Sequence, residues 1–248
     1  MKKRLLQKIV MCLFSAGLLA TVGYHMLFGE PDGVAAVLPV RLSGQKLIID
    51  AGHGGEDGGA ISSSGAVESS INLAVALRLD AILGLYGSDT MMLRTQDVSL
   101  HDADANTLRE KKSSDLHNRV AAIEAVENAT LISIHQNSFG DRKYRGAQVF
   151  YANNEQSAVF ARHTQEMLRV GLDPNNTRQA AKIPTSVYLM NHVTCRAILV
   201  ECGFLSNPAE DALLQTKRYQ TKIAASLAGA YLGYYHSTPP EGDLFDED

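Results

Sequence analysis

Residues 46–55 read KLIIDAGHGG. The apolar run Leu47-Ile48-Ile49 predicts a buried strand, and the glycines on both sides of His53 predict a turn directly after it. In open α/β sheets, functional sites form at the carboxyl ends of the strands. His53 therefore lies where we expect a site, at the junction of a strand and a glycine-rich turn.

Strand-like and helix-like segments alternate along the rest of the chain. Predicted strands cover Lys46–Asp50, Thr90–Arg94, Leu131–Ile134, Ala147–Tyr151, Ser186–Met190 and Ala197–Glu201. Predicted helices cover Ser69–Tyr86, Ser113–Asn128, Gln156–Val170 and Asp211–Tyr235. This alternation predicts an α/β fold of three layers, in which a mainly parallel sheet carries helices on both faces.

A second histidine occupies an equivalent position. His135 follows the apolar run Leu131–Ile134, as His53 follows its own strand. Two imidazoles are thus expected at neighbouring strand ends, on one edge of the sheet. The six other histidines have no such partner and are interpreted as structural or solvated. A catalytic zinc site takes about three nitrogen or oxygen ligands and keeps one position open, so a third ligand is needed.

Two glutamates are candidates for the remaining chemistry. Glu68 opens a predicted helix, where an acidic residue is also favoured by the helix dipole alone. Glu201 ends the apolar run Ala197–Val200, where an unpaired buried carboxylate would be costly. A metal beside Glu201 would remove that cost, so both residues are candidate members of one site.

Four segments carry a resemblance to a known family. They are Asp50–Gly55, Glu68 with Asn72 and Leu73, Ser133–Asn137, and Val200–Asn207, in this order along the chain. Together they resemble the zinc-dependent N-acetylmuramoyl-L-alanine amidases of amidase type 3, over a region from about Lys46 to about His236. The compact layout, an N-terminal apolar segment followed by one catalytic domain, is most similar to the spore-cortex (germination-specific) amidases.

The resemblance implies a zinc hydrolase that cleaves the amide bond between N-acetylmuramic acid and L-alanine in peptidoglycan, in spore-cortex maturation. It implies that His53, Glu68 and His135 bind Zn²⁺. It also implies that Glu201 is the catalytic residue that transfers protons, and not a fourth ligand. The residue types by themselves indicate only hydrolysis assisted by a metal.

Three other functions stay open at the level of sequence. A glycosidase would use Glu68 and Glu201 as its two carboxylates and would leave both histidines idle. A zinc carboxypeptidase acting on stem peptides would share the metal chemistry, and an inactive wall-binding module could keep the metal as a structural element. Product identity separates the first two from an amidase, and metal analysis paired with an activity assay separates the third.

The N-terminus carries a predicted membrane segment. Basic residues at Lys2, Lys3, Arg4 and Lys8 precede 21 uncharged residues, 9–29. A helix of that length reaches about 30 Å, the thickness of a bilayer core, and exceeds the roughly 7–15 apolar residues of an export signal. We therefore favour an anchor over a cleaved signal. The basic flank predicts that the domain is exported to the extracytoplasmic face of the membrane, anchored or secreted, which for a spore protein includes the forespore envelope.

Composition indicates one globular domain. Of the 248 residues, 45% are hydrophobic and 20% are charged, which is ordinary for a globular protein. We predict an N-terminal segment with its linker at 1–40, a catalytic domain at 41–238 and an acidic, disordered tail at 239–248.

Charge and motifs also limit the partners. A net charge of −4 without a basic stripe argues against nucleic acid. The chain contains no wall-binding repeat, so the membrane segment or a localising or activating partner protein is expected to bring the domain to peptidoglycan.

Loops and cysteines complete the prediction. The polar segments Gln96–Lys112, Phe139–Gly146 and Gly171–Thr185 are expected to form loops around the site, and the second carries three basic residues that could contact carboxylates of a wall fragment. Cys195 and Cys202 would lie roughly 23 Å apart along a strand, too far for a disulfide. Neither cysteine has the surroundings of a nucleophile.

Overall fold

The computed structural model describes residues 45–237. Six strands are present there: β1 Lys46–Ala51, β2 Thr90–Met92, β3 Ala129–Asn137, β4 Gln148–Tyr151, β5 Ala181–Lys182 and β6 Arg196–Phe204. The helices are α1 Glu68–Leu85, α2 Leu108–Glu124, α3 Glu155–Leu172, α4 Tyr188–His192, α5 Pro208–Leu214 and α6 Lys217–Ser237.

The predicted N-terminal membrane segment and the acidic tail lie outside the described residues, so the domain boundaries stay predictions. Within residues 45–237, no helix combines the length and the apolar composition that crossing a bilayer requires.

The strands form one mainly parallel sheet in the order β2-β1-β3-β6-β4-β5. β2, β1, β3 and β6 run parallel to one another. β4 is antiparallel to β6, and β5 is parallel to β4. The four parallel strands therefore end at one edge of the sheet, which is the edge that the sequence indicates as the site.

Each face of the sheet carries its own hydrophobic core. Leu47 and Ile49 of β1 pack on one face in a cluster with residues of α1, α3 and α6. Ile48 and Leu131 lie on the other face, with residues of α2 and α4. Because successive strand residues point to opposite faces, a continuous apolar run supplies both cores at once. The predicted three-layer α/β fold is confirmed.

One predicted strand is wrong. Ser186–Met190 does not pair in the sheet, and Tyr188–His192 forms the short helix α4 instead. The β-branched Val187 and the aromatic Tyr188 are typical of strands, but a run this short has no periodicity that separates strand from helix. The edge strand next to β4 is instead β5, Ala181–Lys182, which is too short to be recognised from sequence.

The predicted closing helix Asp211–Tyr235 is two helices, α5 and α6. The Asn207 side chain caps α5 by accepting hydrogen bonds from the first backbone N–H groups of that helix. The Thr216 hydroxyl accepts a hydrogen bond from the backbone N–H of Tyr219 at 3.2 Å, where α6 begins. The capping side chain of Thr216 thus starts a new helix inside the stretch that had been predicted as one helix.

Helix α2 begins at Leu108, before the predicted start at Ser113. Thr107 and Glu110 form a capping box, in which each side chain accepts a hydrogen bond from the backbone N–H of the other. The first turn of α2 therefore belongs to a segment that its polarity had suggested as a loop.

Candidate metal centre

Three of the predicted site residues converge at the carboxyl edge of the sheet. His53 follows β1, Glu68 is the first residue of α1, and His135 lies near the end of β3. One potential ligand atom from each lies within 4.8 Å of the other two. Glu68 Oε1 is 3.0 Å from His135 Nδ1 and 3.3 Å from His53 Nε2.

His53 is held in an uncommon backbone conformation. Its φ of 62° lies in the left-handed region, which residues other than glycine seldom adopt. An Arg119 N–H donates to the His53 carbonyl at 2.8 Å, and His53 Nδ1 lies 3.0 Å from Asp57 Oδ2. With Nδ1 engaged by a carboxylate, the ring presents Nε2 towards Glu68, which is how outer partners orient a metal-binding imidazole.

Glu68 is buried and its carboxylate is fixed on several sides. Oε2 accepts a hydrogen bond from the backbone N–H of Ala60 at 2.8 Å, and Oε1 accepts one from the backbone N–H of Gln136 at 3.1 Å. Burial opposes ionisation, but His135 and His53 outweigh it and hold the pKa of Glu68 well below its usual range. The carboxylate is therefore ionised, as a metal ligand must be.

The same contacts act on His53. Burial lowers the pKa of His53, but Asp57 and Glu68 outweigh it and raise that pKa to about 9. In the metal-free chain the ring is thus protonated near neutral pH, and a metal must displace this proton to bind.

Two glycines leave room for the side chains of His135 and Glu68. A Cβ at Gly52 would lie 2.2 Å from His135 Nε2, and a Cβ at Gly59 would lie 2.6 Å from Glu68 Oε2. Gly59 also has φ of +71°, a conformation that side chains disfavour. The glycines of the motif are thus required by the close approach of these two side chains.

Gly52→Ala is expected to weaken zinc binding at this candidate centre by at least about tenfold, because the new methyl group must displace the His135 ring. Zinc affinity by competition with a chromophoric chelator measures the effect. Gly84→Ala is the matched control, since nothing lies within 4 Å of a Cβ at that position in α1. Equal zinc affinity in both variants would show that the His135 ring position does not matter for the metal.

Two buried arginines, which the sequence analysis missed, hold the turn that carries His53. Arg94 donates to the carbonyls of Ala51 at 2.8 Å and Gly52 at 3.1 Å. Arg119 donates to the carbonyls of Ala51 at 3.1 Å and His53 at 2.8 Å, and it pairs with Asp50. Every carbonyl from residue 51 to residue 53 therefore accepts a hydrogen bond from a fixed cation, which positions the turn.

Glu201 lies inside β6, directly opposite His135 in the sheet, and not at a strand end as predicted. Its Oε2 atom is buried and has no hydrogen-bond partner among the described residues. Burial raises the pKa of Glu201 to about 7, the nearby Glu68 carboxylate adds to this effect, and the two histidines oppose it. An unpartnered buried oxygen beside the three ligands is the atom that a metal site with its water would satisfy.

The donor set therefore fits zinc. Two imidazoles and one carboxylate are the ligands of a common type of catalytic zinc site, and a second carboxylate, that of Glu201, is placed to handle protons.

A pocket of about 280 Å³ opens beside the centre. His53 and His135 line it on one side. Its apolar wall comes from Leu116, Val187, Tyr188, Leu189 and Leu199. The segment that the sequence suggested as a strand thus forms part of the wall of this pocket.

The two cysteines of the described region are free thiols, Cys195 and Cys202. Burial raises the pKa of both, that of Cys195 to about 11. Raised pKa values keep both thiols protonated near neutral pH, so neither is a reactive thiolate.

An α/β sheet with this donor set at its carboxyl edge defines the class, a hydrolase with a candidate metal centre. The profile of the N-acetylmuramoyl-L-alanine amidase family matches residues 47–231. The chain belongs to that family, and its activity is that of an N-acetylmuramoyl-L-alanine amidase on peptidoglycan. The resemblance seen in the motifs is confirmed.

Two relatives illustrate the match in sequence. A germination-specific N-acetylmuramoyl-L-alanine amidase of Bacillus subtilis (strain 168) is 39% identical over 206 residues, which cover 81% of this chain and 84% of the relative. The N-acetylmuramoyl-L-alanine amidase AmiA of Escherichia coli (strain K12) is 24% identical over 284 residues, covering 95% of this chain and 92% of AmiA.

Solved structures show the same fold. The CwlD amidase from Clostridioides difficile, determined in complex with the GerS lipoprotein, has a TM-score of 0.75 at 34% identity and covers 78% of this chain and 100% of CwlD. The catalytic domain of CwlV from Bacillus (Paenibacillus) polymyxa var. colistinus has a TM-score of 0.66 at 26% identity, covering 78% of this chain and 99% of that domain.

Proposed function

We propose that the chain is a zinc-dependent amidase that cleaves the bond between N-acetylmuramic acid and L-alanine during spore-cortex maturation. The observation that carries the zinc assignment is the convergence of His53, Glu68 and His135 within 4.8 Å, beside the unpartnered carboxylate oxygen of Glu201. Loss of activity on chelation and its recovery with Zn²⁺ would test the assignment.

His53, Glu68 and His135 would hold the ion. Zinc at this site would act as a Lewis acid and allow water to attack an amide near neutral pH. Asp57 keeps the His53 ring in place through Nδ1, and the backbone N–H groups of Ala60 and Gln136 keep the Glu68 carboxylate in place. The ligands are therefore preorganised by the fold.

Glu201 would move the protons. Its carboxylate accepts a proton from the attacking water and returns it to the amine of L-alanine as that amine leaves. One observation supports this role: the Oε2 atom is buried beside the three candidate ligands and has no hydrogen-bond partner among the described residues, so it is free to accept a proton.

The rate should fall at acidic pH, because only the ionised Glu201 accepts a proton. Burial raises the pKa of Glu201 to about 7, and a bound cation would move it back towards the ordinary 4.5. We expect kcat/KM to fall with decreasing pH through one ionisation between these two values. A pH profile on zinc-saturated enzyme measures it, and a rate that stays flat down to about pH 4 would contradict the role of this base.

We propose that the chain works on the spore cortex at the extracytoplasmic face of the membrane, in the forespore envelope, with residues 9–29 as its membrane segment. The 39% identity to a germination-specific amidase supports the cortex role. In a strain that lacks the chain, peptide-free muramic acid should decrease in spore cortex and stay unchanged in vegetative wall. Equal effects on both walls would contradict the cortex role.

A localising or activating partner protein is part of this proposal. CwlD, which is similar to this chain, was determined in complex with the GerS lipoprotein. Activity of the purified full chain on solubilised wall fragments, compared with activity in extracts of the sporulating cell, tests whether a partner is required.

A further inference from the structure

A second pocket in the structure is rich in cations. It has a volume of about 480 Å³, and the loops after β3 and α3 form it. Lys143, Arg145 and Arg178 line it, together with one carboxylate, Asp173. We call this surface the basic pocket.

The basic pocket is connected to the catalytic carboxylate through the sheet. Glu201 pairs with His135 on one neighbouring strand and with Gln148 on the other. Residues opposite each other in adjacent strands share a face of the sheet at a spacing of about 5 Å. An Arg178 Nη1–H donates to Gln148 Oε1 at 2.9 Å. One strand spacing and the Gln148 side chain thus separate the Arg178 guanidinium from the backbone of Glu201, a distance of about 10 Å.

Arg178 is fixed in place. Its Nε–H donates to the Arg145 carbonyl at 2.7 Å, and its guanidinium lies over the Phe204 ring, 4.6 Å from the centroid. These contacts, together with the bond to Gln148, use two of the five N–H groups of an arginine. Three N–H groups remain, enough for a two-point contact with a carboxylate.

Arg178 differs from the other cations of the pocket in having no acidic partner within the described part of the chain. Arg145 pairs with Asp173 at 2.6 Å, and Lys143 pairs with Asp141 at 2.8 Å. Arg178 forms no ion pair among residues 45–235. The nearby Glu210 carboxylate is engaged elsewhere, since it accepts hydrogen bonds from the backbone N–H groups of Gly146 and Phe204.

We propose that Arg178 binds a free carboxylate on the stem peptide of the substrate, and so selects which peptides are removed. The proposal rests on the proposed function, because it takes the scissile bond to lie at Glu201. An extended peptide advances about 3.3 Å per residue, so a distance of about 10 Å corresponds to the second or third residue of the stem. The carboxylate could come from either residue, and the shared chemistry is a planar anion facing a guanidinium.

Four synthetic muramoyl tripeptides test the proposal on the zinc-loaded full chain in detergent. One carries free carboxylates on its second and third residues, two are amidated at one of those residues, and the last is amidated at both. We expect amidation at one of the two positions to lower kcat/KM at least about tenfold, mainly through KM. That position identifies the carboxylate, and an unmodified chain that hydrolyses all four equally would overturn the proposal.

The variant Arg178→Gln should lower kcat/KM on the free-acid peptide by the same factor and should have the kcat/KM of the unmodified chain on the fully amidated peptide. Arg178→Lys keeps the charge but cannot form the two-point contact of a guanidinium. Its kcat/KM on the free acid should therefore lie between those of the unmodified chain and Arg178→Gln. Arg162→Gln removes an exposed cation on α3 that lines no part of the basic pocket and serves as the control. Equal losses on all four peptides would mean that Arg178 only links Gln148 to the Arg145 loop, and no loss would mean that it does not contact substrate. If Arg178→Gln does not fold, the lysine variant and the peptide series decide.

Failure of the proposed function looks different. It would appear as no release of L-alanine amines from any peptide, or as hydrolysis that ignores a chelator. Calorimetric binding of the same peptides to the full chain then decides on Arg178: tighter binding of the free acid, lost in Arg178→Gln, supports the proposal, and equal affinities overturn it.

Discussion

Replacing Glu201 with glutamine is expected to lower kcat by at least about a hundredfold while zinc stays bound, the usual scale for losing general acid–base catalysis. Glutamine has nearly the same shape as glutamate but cannot accept the proton of the attacking water. Glu201 lies opposite His135 in the sheet, and its Oε2 atom makes no hydrogen bond among the described residues. The change therefore breaks no hydrogen bond of that atom and should leave the ligands in place. Steady-state rates and zinc content of the purified full chain measure both effects.

Two outcomes of the Glu201→Gln experiment would contradict the assigned role. Near-full activity would make Glu201 a structural residue. Loss of zinc together with activity would make it a fourth ligand. Glu166→Gln, at an exposed ion pair on α3, is the matched control and should change neither quantity.

The second large effect is expected on the metal itself. His53→Ala and His135→Ala should each abolish tight zinc binding and activity together, because a site of three protein ligands keeps only two. Elemental analysis after dialysis against a weak chelator measures the zinc. His117→Ala is the control, since His117 is exposed and its Nδ1 lies 2.7 Å from the Ser113 carbonyl within α2.

Stoichiometric zinc in the double variant His53→Ala, His135→Ala would contradict the site. Within residues 45–237, the group of His53, Glu68 and His135 is the cluster whose ligand atoms come close enough to hold an ion. Until these measurements are made, the three ligands and the base stay predictions that the geometry supports.

Much of the fold could be predicted because its strands are continuous apolar runs. Leu47-Ile48-Ile49 and Leu131–Ile134 fill cores on both faces, so their burial is encoded locally. The misread segment Ser186–Met190 shows the limit of that reasoning, because five residues with β-branched and aromatic side chains suit a strand or a helical turn equally well. Which one forms depends on the packing of α4 against α2.

The residues of the site also fall into some that the sequence could predict and some that it could not. His53, Glu68, His135 and Glu201 could be predicted because each stands at the end of a recognisable element or in a motif. The arginines Arg94 and Arg119 could not, because their contacts with the turn at residues 51–53 join positions more than forty residues apart. Arg94 ends a predicted strand and Arg119 lies in a predicted helix, and nothing local shows that either side chain turns towards the site.

The most direct test of the central claim is the identity of the bond that the full chain cuts. Peptidoglycan, whole or solubilised, is digested with and without a chelator, and the products are separated and weighed by mass spectrometry. We expect peptides with free L-alanine amino termini and glycan with peptide-free muramic acid, no new reducing ends, and no release when zinc is removed. New reducing ends without new alanine amines would indicate a glycosidase, and free D-amino acids would indicate a carboxypeptidase. Either result, or release that is indifferent to the chelator, would contradict the account.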